Sequence, residues 1–399
     1  MAKPAGNAQT PFIPSRFAEL SPDFLTRSLR ASGVLASGRV QDLRVEVIGA
    51  GIGFAGEVAR VHLDYADPAD AGPPTLIAKL PSADRKNRAA LEALYAYERE
   101  VCFYQQLSTE SKLPVPRCYY AEMDPDPLYA WRPAAQRWLE RLPVWLFRAL
   151  HAVLGLLALL SRRRYLVLLE DLGSAENGDQ IEGCDLPRAE QAVRGLAAFH
   201  ASYWSRDELA EMIWLPRLDT LPRSLMAVHR RSRRRFFRAH CERVPERMRD
   251  ACRWMDAHFE AVMRQLASPP RSLIHGDYRL DNLFFETGGM WAVDFQVVLL
   301  GRPAYDLAYF VVGSVAPDVD EARLLDVYCD ELVRRGVTVY DRAECERDYT
   351  LSKLFQVYLH VASDDALNLG DDRGPRLLET MRARLLARIP EPPYDALLA

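Results

Sequence analysis

An aspartate and an asparagine five residues apart, followed by a second aspartate, offer the chemistry of metal-assisted group transfer. They lie in His275-Gly-Asp277-Tyr-Arg-Leu-Asp-Asn282 and, shortly after it, Ala292-Val-Asp294-Phe-Gln296. At this spacing Asp277 and Asn282 can share one loop, with Asp277 facing a substrate hydroxyl, while Asp294 reaches the same metal from a neighbouring strand. Magnesium prefers a few oxygen ligands together with substrate phosphates. These residues therefore predict phosphoryl transfer that depends on ATP and Mg²⁺, with Asn282 and Asp294 as metal ligands.

Two further residues are expected to support this set. A lone histidine is more often structural than catalytic, so we expect His275 to brace the loop by hydrogen bonds. Asp306, in Pro303-Ala-Tyr-Asp306-Leu307, is expected to anchor the loop from below. The alternative for Asp306 is an acidic residue at a helix start without any other role.

A glycine-rich segment near the N-terminus predicts the place of the nucleotide phosphates. Gly51-Ile-Gly53-Phe-Ala-Gly56-Glu-Val58 fits the pattern G-x-G-x-x-G-x-V, in which the glycines admit the phosphates and Val58 covers the adenine. The same glycines fit a dinucleotide-binding fold, but that fold needs a helix directly after them. Here an alternating strand follows, which disfavours it. A glycine-rich hairpin without a ligand stays an alternative.

A lysine and a glutamate complete the expected nucleotide site. Lys79 lies in the apolar strand Thr75-Leu-Ile-Ala-Lys-Leu80, where a lysine can hold the α- and β-phosphates. One glutamate of the following helix should pair with it. Glu100 is preferred because it precedes an apolar helix face, and Glu98 is the alternative.

The strand Leu168-Leu-Glu170-Asp171-Leu172-Gly173 is expected to join two lobes. Its position in the chain assigns Glu170 and Leu172 to the adenine site, where backbone groups would contact the base. A leucine-rich strand is also common as plain core, so this alternative stays open.

The composition is that of an ordinary globular protein. Of 399 residues, 49% are apolar and 27% charged, and the net charge of −4 does not indicate a nucleic-acid partner. The seven cysteines are scattered, which favours reduced thiols. The N-terminus lacks the apolar stretch of a secretory signal, so a cytoplasmic location is expected.

The order of the elements predicts an α+β molecule with two lobes. A strand-rich first part, residues 1–170, is expected to form the nucleotide-binding lobe around an antiparallel sheet, with an apolar helical insertion at about 124–164. A mainly helical second part, residues 171–399, is expected to hold the catalytic and substrate-binding lobe. A helix from Ser21-Pro22 to Gly33 and another over 88–107 are expected in the first lobe.

The insertion contains a strongly apolar segment, 138–160, followed by Arg162-Arg163-Arg164. Its uncharged part is too short to span a bilayer. Residues 138–164 could lie in a membrane interface, which would give the protein a membrane-associated fraction, or could cap an apolar substrate pocket. A helical hairpin packed on the protein body is the third interpretation.

A second unusual segment, 223–238, is rich in arginine. It could bind an anionic substrate tail such as the phosphates of CoA, or an anionic lipid surface. More often a run of charges is a solvated helix face. An apolar insertion together with a basic helix favours a hydrophobic or acylated alcohol as the phosphoryl acceptor.

The order of these motifs resembles the aminoglycoside phosphotransferase superfamily. The Glu170-Asp171-Leu172 hinge and Asp294-Phe-Gln296 are similar to the ecdysteroid kinase-like and choline kinase-like branch, and the resemblance extends from about residue 45 to about 312. The segment 275–282 also resembles kinase-like domains fused to some acyl-CoA dehydrogenases, which act on hydroxyacyl groups. The resemblance implies a protein-kinase-like fold of two lobes, in which Asp277 accepts or orients the proton of the attacking hydroxyl.

The sequence departs from the protein-kinase pattern at one position, and it leaves two alternative functions open. Gln296 replaces the glycine of Asp-Phe-Gly, so the flip of that motif in protein kinases is not expected. Within the same fold, an aminoglycoside, macrolide or amino-alcohol kinase would use the same residues on a different acceptor. In another class, the chain would be a nucleotide-binding regulator at a membrane surface, without turnover.

Overall fold

The computed structural model describes residues 12–48, 56–67, 69, 72–143, 146, 150, 153, 161–220, 222–240, 244–363 and 373–398. Its strands are β1 (Val40–Ile48), β2 (Gly56–Tyr65), β3 (Thr75–Pro81), β4 (Cys118–Met123), β5 (Tyr165–Glu170), β6 (Glu176–Asn177), β7 (Ser272–Ile274), β8 (Leu283–Glu286), β9 (Gly289–Ala292) and β10 (Leu299–Gly301). Its α-helices are α1 (Pro22–Ala31), α2 (Arg85–Ala93), α3 (Ala96–Gln106), α4 (Arg132–Leu139), α5 (Leu186–Ser202), α6 (Pro222–Ala239), α7 (Glu246–Leu266), α8 (Ala304–Ser314), α9 (Glu321–Arg334), α10 (Arg342–Ser363) and α11 (Arg373–Arg388).

The strand-rich and helix-rich parts follow each other as the sequence predicts. The first five strands form one antiparallel sheet in the order β1-β2-β3-β5-β4, and the chain beyond β5 is mainly helical. The predicted α+β class is therefore confirmed. Gly51 and Gly53 lie outside the described residues, as does most of the apolar insertion beyond Pro143.

The two faces of this sheet contact different parts of the protein. The outer face packs on α1, which begins where Ser21 Oγ accepts a hydrogen bond from the Phe24 N–H at 3.2 Å. On the other face Val58, Lys79 and Val167 lie side by side, because the strand register pairs Lys79 with both valines. The sheet thereby presents the lysine to α3 and to the second lobe.

The helix that was expected over 88–107 is divided into α2 and α3. Tyr95 between them has a φ of +55°, which an α-helix cannot contain. The Arg132 guanidinium lies 3.9 Å from the centre of the Tyr95 ring and forms an ion pair with Glu98 in the first turn of α3. Contacts from a distant part of the chain therefore accompany the break, and the local sequence did not indicate it.

Short strands in the second lobe position the loop 275–282, which is the predicted catalytic loop. β7 leads into His275, and the hairpin of β8 and β9 follows the single 3₁₀ turn Leu280–Asn282. α8 passes beneath the loop, and all of its residues except Tyr309 are buried. The loop is thus held between a hairpin and a buried helix.

One hydrophobic cluster crosses the predicted lobe boundary at 170/171. It contains Phe103 of α3 and Val167 of β5 together with Phe199 of α5 and Phe295 beyond β9. The two lobes therefore share apolar core, and their division into residues 1–170 and 171–399 stays a prediction. Among the described helices, none combines the length and the hydropathy that a membrane span requires.

Candidate active site

The backbone of the catalytic loop turns at a glycine. Gly276 has a φ of +81°, and a Cβ atom at this position would lie 2.4 Å from the carbonyl oxygen of Val297. A side chain at this position would therefore meet both backbone strain and a steric clash. Gly276 allows the loop to pass against the segment that follows Asp294, which brings the two motifs together.

A buried carboxylate holds this turn from below. Asp306, fully buried in α8, accepts hydrogen bonds from the backbone N–H groups of His275 at 2.6 Å and Gly276 at 2.9 Å. His200 Nε2 lies 3.1 Å from the same carboxylate, and its Nδ1 lies 2.7 Å from the Tyr328 hydroxyl. These contacts match the anchor expected from the sequence, whereas His200 and Tyr328 were not expected.

The His275 ring connects the loop to the strand before Asp294. Its Nδ1 accepts a hydrogen bond from the Asp277 N–H at 3.3 Å, so its Nε2 carries the proton and donates to the Val293 carbonyl at 3.0 Å. Both ring nitrogens are thereby used within the loop. This geometry suits a bracing histidine, as expected.

The Asp277 carboxylate accepts hydrogen bonds from three side chains of the described residues. Asn282 Nδ2 donates to Oδ2 at 3.0 Å, Arg279 Nε donates to Oδ2 at 3.1 Å, and the Tyr309 hydroxyl donates to Oδ1 at 2.6 Å. Sequence reasoning missed Arg279 and Tyr309. A charge two residues from Asp277 could have drawn attention to Arg279, but Tyr309 comes from α8 and gave no local signal.

Lys79 connects the sheet to both the helix and the second lobe. Its Nζ lies 2.5 Å from Glu100 Oε1 and 3.0 Å from Asp294 Oδ1. Burial by itself would lower the pKa of Lys79, but Asp294 and Glu100 outweigh burial and raise it, so the ammonium stays charged. Burial would raise the pKa of Asp294, but Lys79 outweighs it and keeps the carboxylate ionised. The three groups form a partly buried cluster of one ammonium and two carboxylates.

Each residue of Asp294-Phe-Gln296 contacts the first lobe. Asp294, at the left-handed φ of +69°, reaches Lys79. Phe295 stacks on Phe103 of α3 with ring centres 3.9 Å apart, and Gln296 Nε2 donates to Glu100 Oε2 at 3.0 Å. The sequence suggested only that Gln296 is a departure from a glycine. The structure shows that the Gln296 amide donates a hydrogen bond to Glu100, which is the ion-pair partner of Lys79.

The two candidate glutamates of α3 have separate partners. Glu100 contacts Lys79, whereas Glu98 forms ion pairs with Arg132 and Arg163. Both carboxylates are buried, and each therefore needs a cation. The sequence preference for Glu100 agrees with this geometry.

The remaining predicted nucleotide contacts lie along the sheet. Gly56 pairs with Pro81 in the ladder, and a Cβ atom there would lie 2.5 Å from the carbonyl oxygen of Leu80. Glycine is thus required at this position by the neighbouring strand. Val58 lies beside Lys79 on the same face, where it could contact a base above the lysine.

The hinge residues have hydrogen-bond partners of their own. The Glu170 N–H donates to the Arg117 carbonyl at 2.8 Å, and the Glu170 carboxylate accepts from the Arg117 N–H at 3.1 Å. The Leu172 carbonyl accepts from the Ala175 N–H at 2.7 Å, and Asp171 binds Arg60 at 2.6 Å. The structure does not bring Glu170 into the charged cluster, and the assignment of Glu170 and Leu172 to adenine stays a prediction.

Asn282 and Asp294 fit a magnesium ion that also binds phosphates. The Val293 N–H donates to the Asn282 carbonyl at 3.0 Å, so the two predicted ligands lie on adjoining backbone segments. An amide oxygen and a carboxylate are hard donors of the type that magnesium prefers. Within the described part of the chain, no group of three or more His, Cys, Asp or Glu side chains could hold a metal without a substrate.

Residues 150–337 match the sequence model of the ecdysteroid kinase-like family. The matched stretch contains the catalytic loop, Asp294 and Asp306, and it ends before α10. The match confirms the predicted resemblance to kinase-like small-molecule phosphotransferases. A comparison with curated protein sequences finds no match.

Several solved structures are similar in fold at low identity. A putative aminoglycoside phosphotransferase from Ralstonia eutropha JMP134 is 16% identical, with 91% of this chain and 96% of that chain covered and a TM-score of 0.47. A macrolide 2'-phosphotransferase from Brachybacterium faecium is 16% identical, with 93% and 100% covered and a TM-score of 0.44. A choline kinase from Cryptosporidium parvum Iowa II is 8% identical, with 87% and 89% covered and a TM-score of 0.46.

We expect Asp306→Ala to loosen the catalytic loop. The substitution leaves the buried N–H of His275 and the partly buried N–H of Gly276 without this acceptor, at a cost of about 1–3 kcal/mol for the buried group. Hydrogen–deuterium exchange should be faster at these two amides than in the wild type. The matched control is Asp330→Ala, which removes an exposed carboxylate on α9. Unchanged exchange at both amides in Asp306→Ala would contradict the anchor.

Proposed function

We propose that this protein transfers the γ-phosphoryl group of ATP to a hydroxyl group of a small molecule. The observation that carries the proposal is the position of Lys79 between Glu100 and Asp294. The hydrogen bond between Asn282 and Asp277 lies on the loop that adjoins Asp294. A cation for phosphates, oxygen donors for a metal and a carboxylate for a hydroxyl proton are the parts that this reaction needs.

Each side chain has a distinct task in this proposal. Asp277 accepts the proton of the acceptor hydroxyl as the acceptor oxygen bonds to the γ-phosphorus and the bond to the β–γ bridging oxygen breaks. ADP then leaves with the electron pair of that bond. Lys79 neutralises phosphate charge, and Glu100 fixes the lysine. Asn282 and Asp294 would hold Mg²⁺, which supplies further charge neutralisation when it is bound. Most of the acceleration comes from positioning and electrostatics.

A hydrophobic or acylated alcohol, such as a sterol-like or hydroxyacyl compound, is the acceptor that we propose. The apolar insertion supports this choice. The second support is α6, on which Arg230, Arg234 and Arg238 are exposed at intervals of four residues. Residues four apart share one helix face, so these arginines could meet an anionic tail of the acceptor. In this proposal the protein works in the cytoplasm, which its six described cysteines support because all of them are free.

Peripheral membrane contact near residues 138–164 forms part of the proposal. Trp131 and Trp138, at either end of α4, are 71% and 56% exposed, and nearby Leu128 is 65% exposed. Two tryptophans seven residues apart lie on nearly the same side of a helix, because seven residues make almost two turns. Aromatic side chains in that position suit the headgroup region of a bilayer.

Replacement of Asp277 tests the proposed base. In assays of phosphate transfer from γ-labelled ATP to a panel of sterols, hydroxyacyl thioesters, kanamycin and choline, Asp277→Asn should reduce turnover about 10²- to 10⁴-fold. ATP binding by calorimetry should stay near the wild-type value, because the asparagine keeps the size of the side chain. Turnover of Asp277→Asn at the wild-type rate would reject the assignment. Absence of transfer by the wild type to any alcohol would favour a regulator without turnover.

Replacement of Asp294 tests the proposed metal site. Asp294→Ala should weaken the binding of Mg-ATP about 10- to 150-fold, the equivalent of about 1.5–3 kcal/mol for a contact to a charged group. The effect should be specific to the metal, so EDTA should weaken ATP binding by the wild type and change it little in the variant. Calorimetry with and without Mg²⁺ measures both quantities. Equal dependence on Mg²⁺ in the two proteins would argue against Asp294 as a ligand.

Vesicle flotation tests the membrane contact. We expect the wild type to float with vesicles of phosphatidylcholine and phosphatidylglycerol, and we expect the double variant Trp131→Ala, Trp138→Ala to float less. Val339→Ala is the control, because Val339 is also an exposed apolar residue but lies far from the insertion in the sequence. Equal flotation of the double variant and the wild type would remove these tryptophans from the interface.

A further inference from the structure

Among the residues that the structure describes, Arg279 is the cation that pairs with the proposed base. Its Nε donates to Asp277 Oδ2 at 3.1 Å, and its Nη1 donates to Asp281 Oδ2 at 3.1 Å. Burial would lower the pKa of Arg279, but the nearby acidic groups, of which Asp277 acts most strongly, outweigh burial and raise it. The guanidinium therefore stays charged beside the base.

The Nη2 group of Arg279 is available to a ligand. It has no hydrogen-bond partner among the described residues, and 15% of the Arg279 side chain is exposed. Nε and Nη2 share one edge of the planar guanidinium, so Nη2 faces the same side as the N–H that donates to Asp277. Two N–H donors of a charged group are therefore free next to the base.

Asp281 fixes the position of this guanidinium. Its side chain is 6% exposed, and it accepts further hydrogen bonds from the Gln180 N–H at 2.8 Å and from Arg373 Nη2 at 2.8 Å. Because Arg373 begins α11, the C-terminal helix and the segment before α5 both hold the carboxylate that holds Arg279. A donor that is fixed before its ligand arrives stabilises charge with little reorganisation.

The reaction needs a cation on the side of the base. Lys79 contacts Glu100 and Asp294 and is assigned to the α- and β-phosphates. The base is itself a carboxylate, and the phosphoryl group that approaches it is also negative, so the two repel each other. A guanidinium that pairs with the base offsets this repulsion, and its planar edge matches the oxygens of a phosphate. Asp294 also helps to raise the pKa of Arg279, so the guanidinium is close to the proposed metal site as well.

We propose that Arg279 is a further catalytic residue, whose Nη2 group binds the γ-phosphoryl group of ATP while Nε and Nη1 keep their contacts to Asp277 and Asp281. The inference rests on the proposed phosphotransferase function and adds a residue to it. During transfer Asp277 takes the proton of the acceptor hydroxyl, the acceptor oxygen bonds to phosphorus, and the bond to the β–γ bridging oxygen breaks and leaves its electron pair on ADP. Arg279 gives up no proton in this step and donates hydrogen bonds to the oxygens of the transferred group.

Calorimetry with two nucleotides tests this contact without any turnover. The probes are ADP and AMP-PNP, an ATP analogue with a nitrogen atom in the β–γ bridge, each titrated with Mg²⁺ into the full chain. Arg279→Met removes the guanidinium, so it should weaken AMP-PNP binding about 10- to 150-fold and change ADP binding less than about twofold, because ADP lacks the γ-phosphate. Retained ADP binding verifies that the variant is folded. Arg194→Met is the control and should change neither affinity, since Arg194 pairs with Glu190 on α5.

Steady-state kinetics and a second variant test whether the contact acts in catalysis. Arg279→Met should lower kcat about 10²- to 10³-fold with every acceptor that the wild type uses. Arg279→Lys keeps the charge, but one ammonium cannot reproduce the planar contacts to two carboxylates and a phosphate. It should therefore recover only part of the AMP-PNP affinity and of kcat. A merely structural arginine would affect the binding of ADP and AMP-PNP alike.

The possible results separate this inference from the proposed function. Unchanged AMP-PNP affinity in Arg279→Met, equal losses for the two nucleotides, or full recovery by Arg279→Lys would overturn the contact and leave the phosphotransferase proposal intact. A rise in KM confined to acceptors that carry a carboxylate would assign the guanidinium to the acceptor and overturn the contact too. Selective loss of AMP-PNP affinity, without transfer of label by the wild type, would retain the contact and overturn the phosphotransferase proposal instead.

Discussion

The ammonium group of Lys79 between two carboxylates is the interaction on which the rest of this site depends. Glu100 comes from a helix of the first lobe and Asp294 from the second lobe, so one partly buried cation fixes the distance between three elements. Removal of the Lys79 ammonium would leave two carboxylates close together without a cation, which is costly in a site that is partly shielded from water. Two further contacts join the same elements. Phe295 stacks on Phe103, and Gln296 donates a hydrogen bond to Glu100.

The second constraint is that one helix, α8, supplies side chains that hold the catalytic loop. α8 supplies Asp306 beneath the loop and Tyr309 beside the proposed base. The two residues are three apart, so one face of one helix reaches both the loop backbone and the Asp277 carboxylate. The buried helix α8 therefore contributes to the position of Asp277 both through the loop backbone and through the carboxylate itself.

Local patterns were sufficient for several elements and insufficient where distant residues meet. Ser21 and Pro22 start α1 as the sequence indicates, because a cap and a proline act within one turn. Local patterns did not predict the break of the helix at Tyr95, because Arg132, which contacts the Tyr95 ring, lies far away in the sequence. Likewise, the choice between Glu98 and Glu100 rested on one apolar face, while the structure gives each glutamate its own cation.

The class of fold and the group of residues that could handle a metal, a phosphate and a proton were predictable from residue types and spacing, because the spacing of Asp277, Asn282 and Asp294 is a property of the chain. What each of these residues contacts depends on how the chain packs in three dimensions. The hydrogen bonds from Tyr309 to Asp277 and from Gln296 to Glu100 join segments that are distant in sequence. Such contacts depend on how helices and strands pack together, and no local pattern of residue types records that packing.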